Sequence, residues 1–341
     1  MPRENVLLSS LTTFRIGGPA RFMCSGGSVG SIQVAHALAR MSGLSLYPLG
    51  QGSNVLAGDA PIDAIILKME NDQVSFTQGV GGSESTNEVE VVADAGVSWD
   101  ELVRACAARA LWGVENLAGI PGTAGAAPVQ NIGAYGAELA DTFAWAECYD
   151  TTSDTVARLT KDECSFGYRE SRFKHEPNLI IMRVALRLSK VGFPKTRYAD
   201  LTRRIDSGEI LDTPEAVGEA VRAIRRKKFP DLTQFGTAGS FFKNPTIAAE
   251  QFTALQARYP ELPGFVVPAG VKVSLAWILD HVLDLRGFRM GAAHLFQNQP
   301  LVLVADEGAT ARDVDTLANA VCSKVFDATG ITIEREVRSL S

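Results

Sequence analysis

The run Gly119-Ile120-Pro121-Gly122-Thr123-Ala124-Gly125, continuing through Pro128-Val129-Gln130-Asn131-Ile132-Gly133-Ala134-Tyr135-Gly136, decides how the rest of the chain reads. Glycine punctuates it from Gly113 onward, and it carries little charge. It is too glycine-rich for a regular helix or strand and too apolar for an exposed linker. Such a segment is expected where main chain must approach a ligand closely. A second glycine loop, Gly50-Gln51-Gly52-Ser53-Asn54, follows a short strand read over residues 44–47. It offers N–H groups with little steric cover, which a pyrophosphate requires. It is not GxGxxG, and no P-loop lysine follows, so a nicotinamide Rossmann site or a P-loop is poorly supported. Alone, a glycine loop of this kind is usually just a turn. Two glycine-lined walls together would be explained by an extended dinucleotide lying between them.

Outward from these loops, strand and helix signals alternate. Residues 31–42 place Ile32, Ala35, Leu38 and Ala39 on one helical face, with Gly43 as a stop. Residues 62–67 and 88–93 read as strands, and residues 81–87 as a polar surface hairpin or loop. Ser98-Trp99-Asp100-Glu101 is a capping box that opens a helix to about Ala110. Strands follow over residues 143–149 and 179–188, and residues 189–197 have linker composition. Beyond them Thr213 caps a helix with Pro214 at its first position and a stripe of Val217, Val221 and Ile224. Ser274 opens another helix, and residues 301–304 read as a strand. Residues 310–329 form a long amphipathic helix ended by Gly330, and residues 331–337 alternate as a closing strand.

The chain of 341 residues is 46% hydrophobic and 21% charged, an ordinary globular balance. A net charge of −6 weakens the case for a sequence-independent nucleic-acid binder but leaves room for a local basic pocket. Cys24, Cys106, Cys148, Cys164 and Cys322 are scattered, without a CxxC pair, so no disulfide framework or metal site is indicated and a reducing cytoplasm fits. No signal-peptide pattern opens the chain, and no stretch approaches the roughly 18 apolar residues of a spanning helix. A water-soluble substrate is expected.

Three further places could carry chemistry. In Ser165-Phe166-Gly167-Tyr168-Arg169-Glu170-Ser171-Arg172-Phe173-Lys174, Arg169 could hold an anion or stabilise an enolate, or be a surface arginine paired with Glu170 or Asp162. In Gly236-Thr237-Ala238-Gly239-Ser240-Phe241-Phe242-Lys243-Asn244-Pro245, Ser240 sits against apolar walls. It could donate a proton in a water-poor site or be a turn hydroxyl. No GxSxG elbow supports a hydrolase. Arg225-Arg226-Lys227-Lys228 most simply complements a helix dipole. Near the end, Glu334 and Glu336 share one face of an expected strand, and periodicity cannot choose between them.

Taken together, these stretches resemble the UDP-N-acetylenolpyruvoylglucosamine reductase family. The matching runs include Thr13-Phe14-Arg15-Ile16-Gly17-Gly18, Leu49 to Leu56, Gly119 to Gly136, Phe166 to Ser171, Ala238 to Pro245 and Glu334-Arg335-Glu336-Val337-Arg338, in family order over almost the whole chain. The resemblance implies an α+β fold: an FAD-binding domain of the vanillyl-alcohol-oxidase (PCMH) type in two lobes, then a C-terminal α+β substrate-binding domain. The expected division is 1–190 (lobes of about 1–70 and 71–190), 198–330, and a final strand, 331–341, returning to the FAD domain.

The insertion containing Tyr198 is similar to the longer, type I form. Carried over by position, Ser240, Arg169 and Glu336 are catalytic. Tyr198, Lys228 and Asn244 hold the substrate pyrophosphate, with Gln299 near the nucleotide. Gly50, Gln51, Gly52, Ser53, Asn54, Val55, Gly119, Ile120, Pro121, Gly122, Thr123, Gly125, Ala126, Asn131, Ile132 and Gly133 bind FAD. NADPH is the expected reductant, no metal takes part, and a cytoplasmic monomer without nucleic-acid or membrane partners is expected. The chain departs from the family in ending Val337-Arg338-Ser339-Leu340-Ser341, without the usual apolar-glycine continuation. Two rival readings are an oxidase on the same fold and a non-catalytic UDP-sugar-binding protein. Flavin reoxidation by oxygen alone would mark the first, and absence of turnover the second.

Overall fold

The computed structural model describes residues 2–78 and 87–341. The loop expected over 81–87 therefore lies outside the described residues, apart from Asn87. The chain folds as two compact units. One comprises Met1–Val6, Ala20–Gln51 and Asp63–Arg225, the other Leu7–Pro19, Gly52–Ile62 and Arg226–Ser341.

The first unit holds two sheets. The four-stranded one runs Arg3–Leu7, Pro19–Gly26, Ile62–Met69, Ser45–Leu49, the last two parallel. Helix α1 (Val29–Ser42) packs on it because Ile32, Ala35 and Ala39 fall on one face and meet Ile65 and Leu67. Its ends are set by Ser28, whose hydroxyl accepts the Ser31 N–H, and by Gly43 in the left-handed conformation.

The five-stranded antiparallel sheet runs Thr155–Thr160, Phe143–Asp150, Leu179–Ser189, Glu88–Asp94, Val74–Gln78. Glu88–Asp94 shows the period of two directly: Val89, Val91 and Ala93 are buried and their neighbours are not. Helix α2 (Trp99–Ala107) buries Trp99, Leu102, Val103 and Cys106 against this sheet's core. The capping box read at Ser98 does not form, since the Ser98 side chain caps nothing.

The short helix α3 (Ala199–Asp206) and helix α4 (Pro214–Lys228) join the same core through Leu201, Leu211, Val217, Ala220, Val221 and Ile224. The first unit accordingly extends to Arg225, well beyond the linker composition at 189–197, which is free of regular structure after Ser189. Thr213 does cap α4, accepting the Ala216 N–H at 3.1 Å.

The second unit contains a three-stranded sheet of Thr246–Ile247, Gly270–Val273 and Gly264–Val267, and another of Arg289–Met290, Ala293–Phe296 and Gln299–Ala305. It also contains helices α5 (Ala249–Arg258) and α6 (Ala311–Thr329). Ser274 opens only one helical turn, which widens into a π turn over Ile278–Val282. Helix α6 matches its sequence signal. Thr310 and Asp313 form a reciprocal cap, Gly330 ends it, and Val314, Leu317, Val321 and Val325 face the core.

The closing strand differs from expectation. Residues 331–337 make no strand, because Ile331 and Ile333 drop into the core beneath α6. The strand is Arg338–Leu340, parallel to Val55–Ala57. That partner belongs to the second unit, although its sequence position lies within the expected FAD domain. Four of the cysteines are buried as free thiols, and burial pushes the Cys106 thiol up to about 12. No helix among the described residues is long and apolar enough to cross a membrane, and no cluster of potential metal ligands occurs among them.

Candidate active site

In the first unit Gly50 and Gln51, the start of one glycine segment, meet the other. Gly50 lies so near the other loop that a Cβ there would stand 2.6 Å from the Thr123 hydroxyl and 3.3 Å from the Ala126 methyl. Only glycine permits that approach. The Gly122 N–H donates to the Gln51 side chain at 2.9 Å, which ties the loops together. Lys68 donates to the Gly50 carbonyl, and burial pulls its ammonium below the usual lysine range. Ala126 closes a turn onto the Thr123 carbonyl at 3.0 Å, and Ile120 and Pro121 are half-buried beside it. The result is a wall of main chain backed by a cation, which suits a pyrophosphate of a dinucleotide. The residues present therefore fit FAD.

The same segment ends at a corner. Asn131 is buried with a left-handed backbone, φ 43°. Its amide donates to Glu138 at 2.9 Å and to the Gly167 carbonyl at 3.0 Å, and its oxygen accepts the Ala140 N–H at 2.9 Å. Ile132 is buried next to it. The Arg169 guanidinium donates to the Gly133 carbonyl at 2.6 Å. Arg169 also has a left-handed backbone, φ 53°, costly for a side chain of this size. Lys174 holds that conformation by donating to the Arg169 carbonyl, and the Ser171 hydroxyl anchors the segment to the Val129 carbonyl at 2.7 Å. A surface pairing of Arg169 with Glu170 or Asp162 does not describe this arrangement. Glu170 instead accepts from His175 at 3.1 Å.

Tyr198 stands at the N-terminus of α3, its ring edge-on to Tyr135 at 5.1 Å. Burial pushes the Tyr135 phenol up to about 12.

In the second unit two segments distant in sequence pair. Phe242 bridges to Arg335, the Glu336 N–H donates to the Phe241 carbonyl at 2.8 Å, and the Lys243 N–H to the Glu334 carbonyl at 2.9 Å. This pairing brings the segments that carry Ser240 and Glu336 side by side. Ser240 is half-buried and bridges to Val302 on its other side, and its hydroxyl donates to no protein group among the described residues. Phe241 and Phe242 are buried edge to face, 5.2 Å apart. The structure separates the two carboxylates that periodicity left equivalent. Glu334 is exposed and paired with Lys243 at 2.9 Å, whereas Glu336 is half-buried. Arg335 between them is pinned to α6 by Asp315 at 2.5 Å and Asn319 at 3.0 Å.

Asn54 grips this segment twice. Its amide donates to the Glu336 carbonyl at 3.2 Å, and its own carbonyl accepts the Arg338 N–H at 3.1 Å. Ser53 precedes it, Val55 begins the strand that pairs with Arg338, and the Gly52 carbonyl accepts the Thr13 N–H at 3.2 Å. Asn244 accepts the Leu275 N–H at 3.0 Å and Gln299 the Leu301 N–H at 3.4 Å, so both also shape their own loops. Lys228 ends α4, half-buried. Arg169, Tyr198 and the 119–133 segment thus belong to the first unit, and Ser240, Glu336, Lys228, Asn244 and Gln299 to the second.

Sequence reading missed Lys68, Lys174 and the ring of groups around Gly119. Arg225, read as part of a dipole-complementing cluster, donates instead to the Gly119 carbonyl at 2.9 Å. Nothing in local composition marks such partners.

Comparison with known proteins bears on these two halves. The profile described as "UDP-N-acetylenolpyruvoylglucosamine reductase, C-terminal domain" matches residues 231–340, and that described as "FAD binding domain" matches residues 22–159. A protein from Paraburkholderia phytofirmans named UDP-N-acetylenolpyruvoylglucosamine reductase is 38% identical over 336 residues, covering 96% of this chain and 95% of its own. One of the same name from Pseudomonas aeruginosa is 37% identical over 337 residues, covering 98% and 97%. The solved UDP-N-acetylenolpyruvylglucosamine reductase from Thermus caldophilus shares the fold, with a TM-score of 0.68 at 24% identity over the whole of both chains. The α+β architecture is thus an FAD-binding half followed by that family's C-terminal domain.

Proposed function

The chain belongs to the UDP-N-acetylenolpyruvoylglucosamine reductase family, and on that premise we propose how its own residues reduce the enolpyruvyl ether of UDP-N-acetylglucosamine. It is an FAD-dependent oxidoreductase of peptidoglycan precursor synthesis. FAD, when bound, supplies the hydride for the terminal vinyl carbon after taking it from NADPH. Residues 50–55 and 119–133 hold FAD by close main-chain approach.

Reduction of the vinyl carbon drives negative charge onto the substrate's carboxylate side as an enolate. Arg169, fixed before substrate arrives, stabilises that charge with its cation, and Glu336 does so only as the uncharged acid, by donating a hydrogen bond. Ser240 gives its proton to the α-carbon. A serine hydroxyl is a poor acid in water, so the step draws on the enolate's basicity and on water exclusion by Phe241 and Phe242. Tyr198, Lys228 and Asn244 hold the pyrophosphate, and Gln299 lies near the nucleotide. The enzyme acts as a cytoplasmic monomer on soluble substrates.

The observation that carries this reading is the pairing of residues 240–243 with 334–337. It leaves a serine hydroxyl, without a protein acceptor among the described residues, and a half-buried glutamate on two paired segments. The test is anaerobic stopped-flow of the holoenzyme. NADPH should bleach the flavin, and UDP-N-acetylglucosamine enolpyruvate should restore its colour. Reoxidation by oxygen alone would instead favour an oxidase.

A further inference from the structure

Gly119 opens the long glycine segment with a left-handed backbone, φ 70°. Both of its polar main-chain groups are committed. Its N–H donates to the Asp100 carboxylate at 2.6 Å, and its carbonyl accepts from Arg225 Nε at 2.9 Å. Asp100 is held in turn by Arg222, whose Nε lies 2.8 and 3.0 Å from the two carboxylate oxygens. Arg222 is almost completely buried, with 5% of its side chain exposed. Burial alone would raise the Asp100 pKa, yet the Arg222 and Gly119 hydrogen bonds hold its carboxyl below the usual carboxylate range. Arg222 and Arg225 are three residues apart on α4, so one helix face presents both guanidiniums. A multiply hydrogen-bonded ion pair with its arginine buried is a costly way to stabilise a fold and a good way to fix one geometry.

We propose that Asp100 and Arg222 are positioning residues for FAD: with Arg225 they preset the Gly119 turn, so that the glycine segment is ordered before the cofactor arrives. The proposal rests on the reading that residues 119–133 hold FAD. A preformed turn spares the cofactor the ordering cost that a loose loop would impose. The acidic partner comes from α2 and the basic ones from α4, so two helices fix one residue from opposite sides.

The test is FAD titration of the full-length deflavinated protein, with the melting temperature of each apoprotein measured alongside. Asp100→Ala and Arg222→Met should raise the FAD Kd by roughly tenfold or more, and the double variant by little beyond either single one. Asp100→Asn, whose amide oxygen can still accept the Gly119 N–H, should fall between parent and Asp100→Ala. Arg222→Lys should recover only part of the loss, because an ammonium cannot reproduce the planar fork.

A merely structural pair would lower the apoprotein melting temperature and leave the Kd of the folded fraction unchanged. Kd values within about twofold of the parent in all variants would therefore overturn the proposal. If Asp100→Ala does not fold, Asp100→Asn and Arg222→Lys decide it. Gly50→Val tests the underlying reading separately. Should it bind FAD normally, the assignment of the glycine loops fails. Should it lose FAD while the Asp100 and Arg222 variants keep it, only the positioning role fails.

Discussion

Ser240→Ala separates chemistry from stability. The hydroxyl is half-buried and donates to no protein group among the described residues, and the backbone bridge to Val302 does not involve it. Its removal should therefore leave stability within about 0.5 kcal/mol, and the melting temperature within about 1–2 °C. Flavin reduction by NADPH needs no proton from Ser240 and should proceed at close to the parent rate. Reoxidation by substrate needs that proton at the α-carbon. A positioned acid contributes about 10²- to 10⁴-fold, which corresponds to about 3–5 kcal/mol of barrier. Anaerobic stopped-flow at 450 nm, roughly the flavin band, reads each half-reaction separately. Equal slowing of both, or unimpaired reoxidation, would refute the assignment of Ser240 as the acid.

Other variants probe other parts of the molecule. Tyr198→Phe should mainly raise the Michaelis constant for the UDP-sugar, and an unchanged constant would count against its contact with the pyrophosphate. Asp59 accepts the N–H groups of Ala311 at 2.7 Å and Arg312 at 3.3 Å at the start of α6, so Asp59→Ala should cost about 0.5–2 kcal/mol, read as a lower urea midpoint. The Asp150 carboxyl is held at about 2 by hydrogen bonds from Asn178, Thr152 and Ser153. Its folded pKa is depressed, so its contribution is complete above the unfolded value of 3.8 and disappears as pH falls toward about 2. The stability gap between parent and Asp150→Ala should shrink across that window, and a gap constant from pH 5 to pH 2 would contradict this account.

Local signals were legible where the cause is local. Thr310, Asp313 and Gly330 delimit α6, and Ser28 and Gly43 delimit α1, because caps act within one turn. Ser98 shows the limit of such signals: its side chain caps nothing, although the sequence pattern is present. Asp59, which supplements the cap on α6, lies far away in sequence and could not be read. The alternation over 331–337 is genuine as burial of Ile331, Ile333 and Val337, but the segment follows the core beneath α6 and not a strand partner. At the candidate site, residue type left Arg169, Ser240 and Glu336 open, and the family resemblance pointed to them. The left-handed Arg169 backbone and the Lys174, Asp100 and Arg222 contacts depend on tertiary neighbours that no spacing rule encodes.

The interleaving of the two units has a consequence for synthesis. Leu7–Pro19 and Gly52–Ile62 leave the ribosome early, yet their unit is otherwise built from Arg226 onward. While residues 63–225 are made, roughly 8–30 s at about 5–20 residues per second, Phe14, Ile16 and Leu56 must wait in solvent for the core that will bury them. The first unit can condense meanwhile, with these two early loops still unsatisfied. Slow translation or a stall within that stretch would lengthen the interval in which sticky early segments meet other chains, so the yield of folded protein should depend on elongation rate there more than on the stability of the finished enzyme.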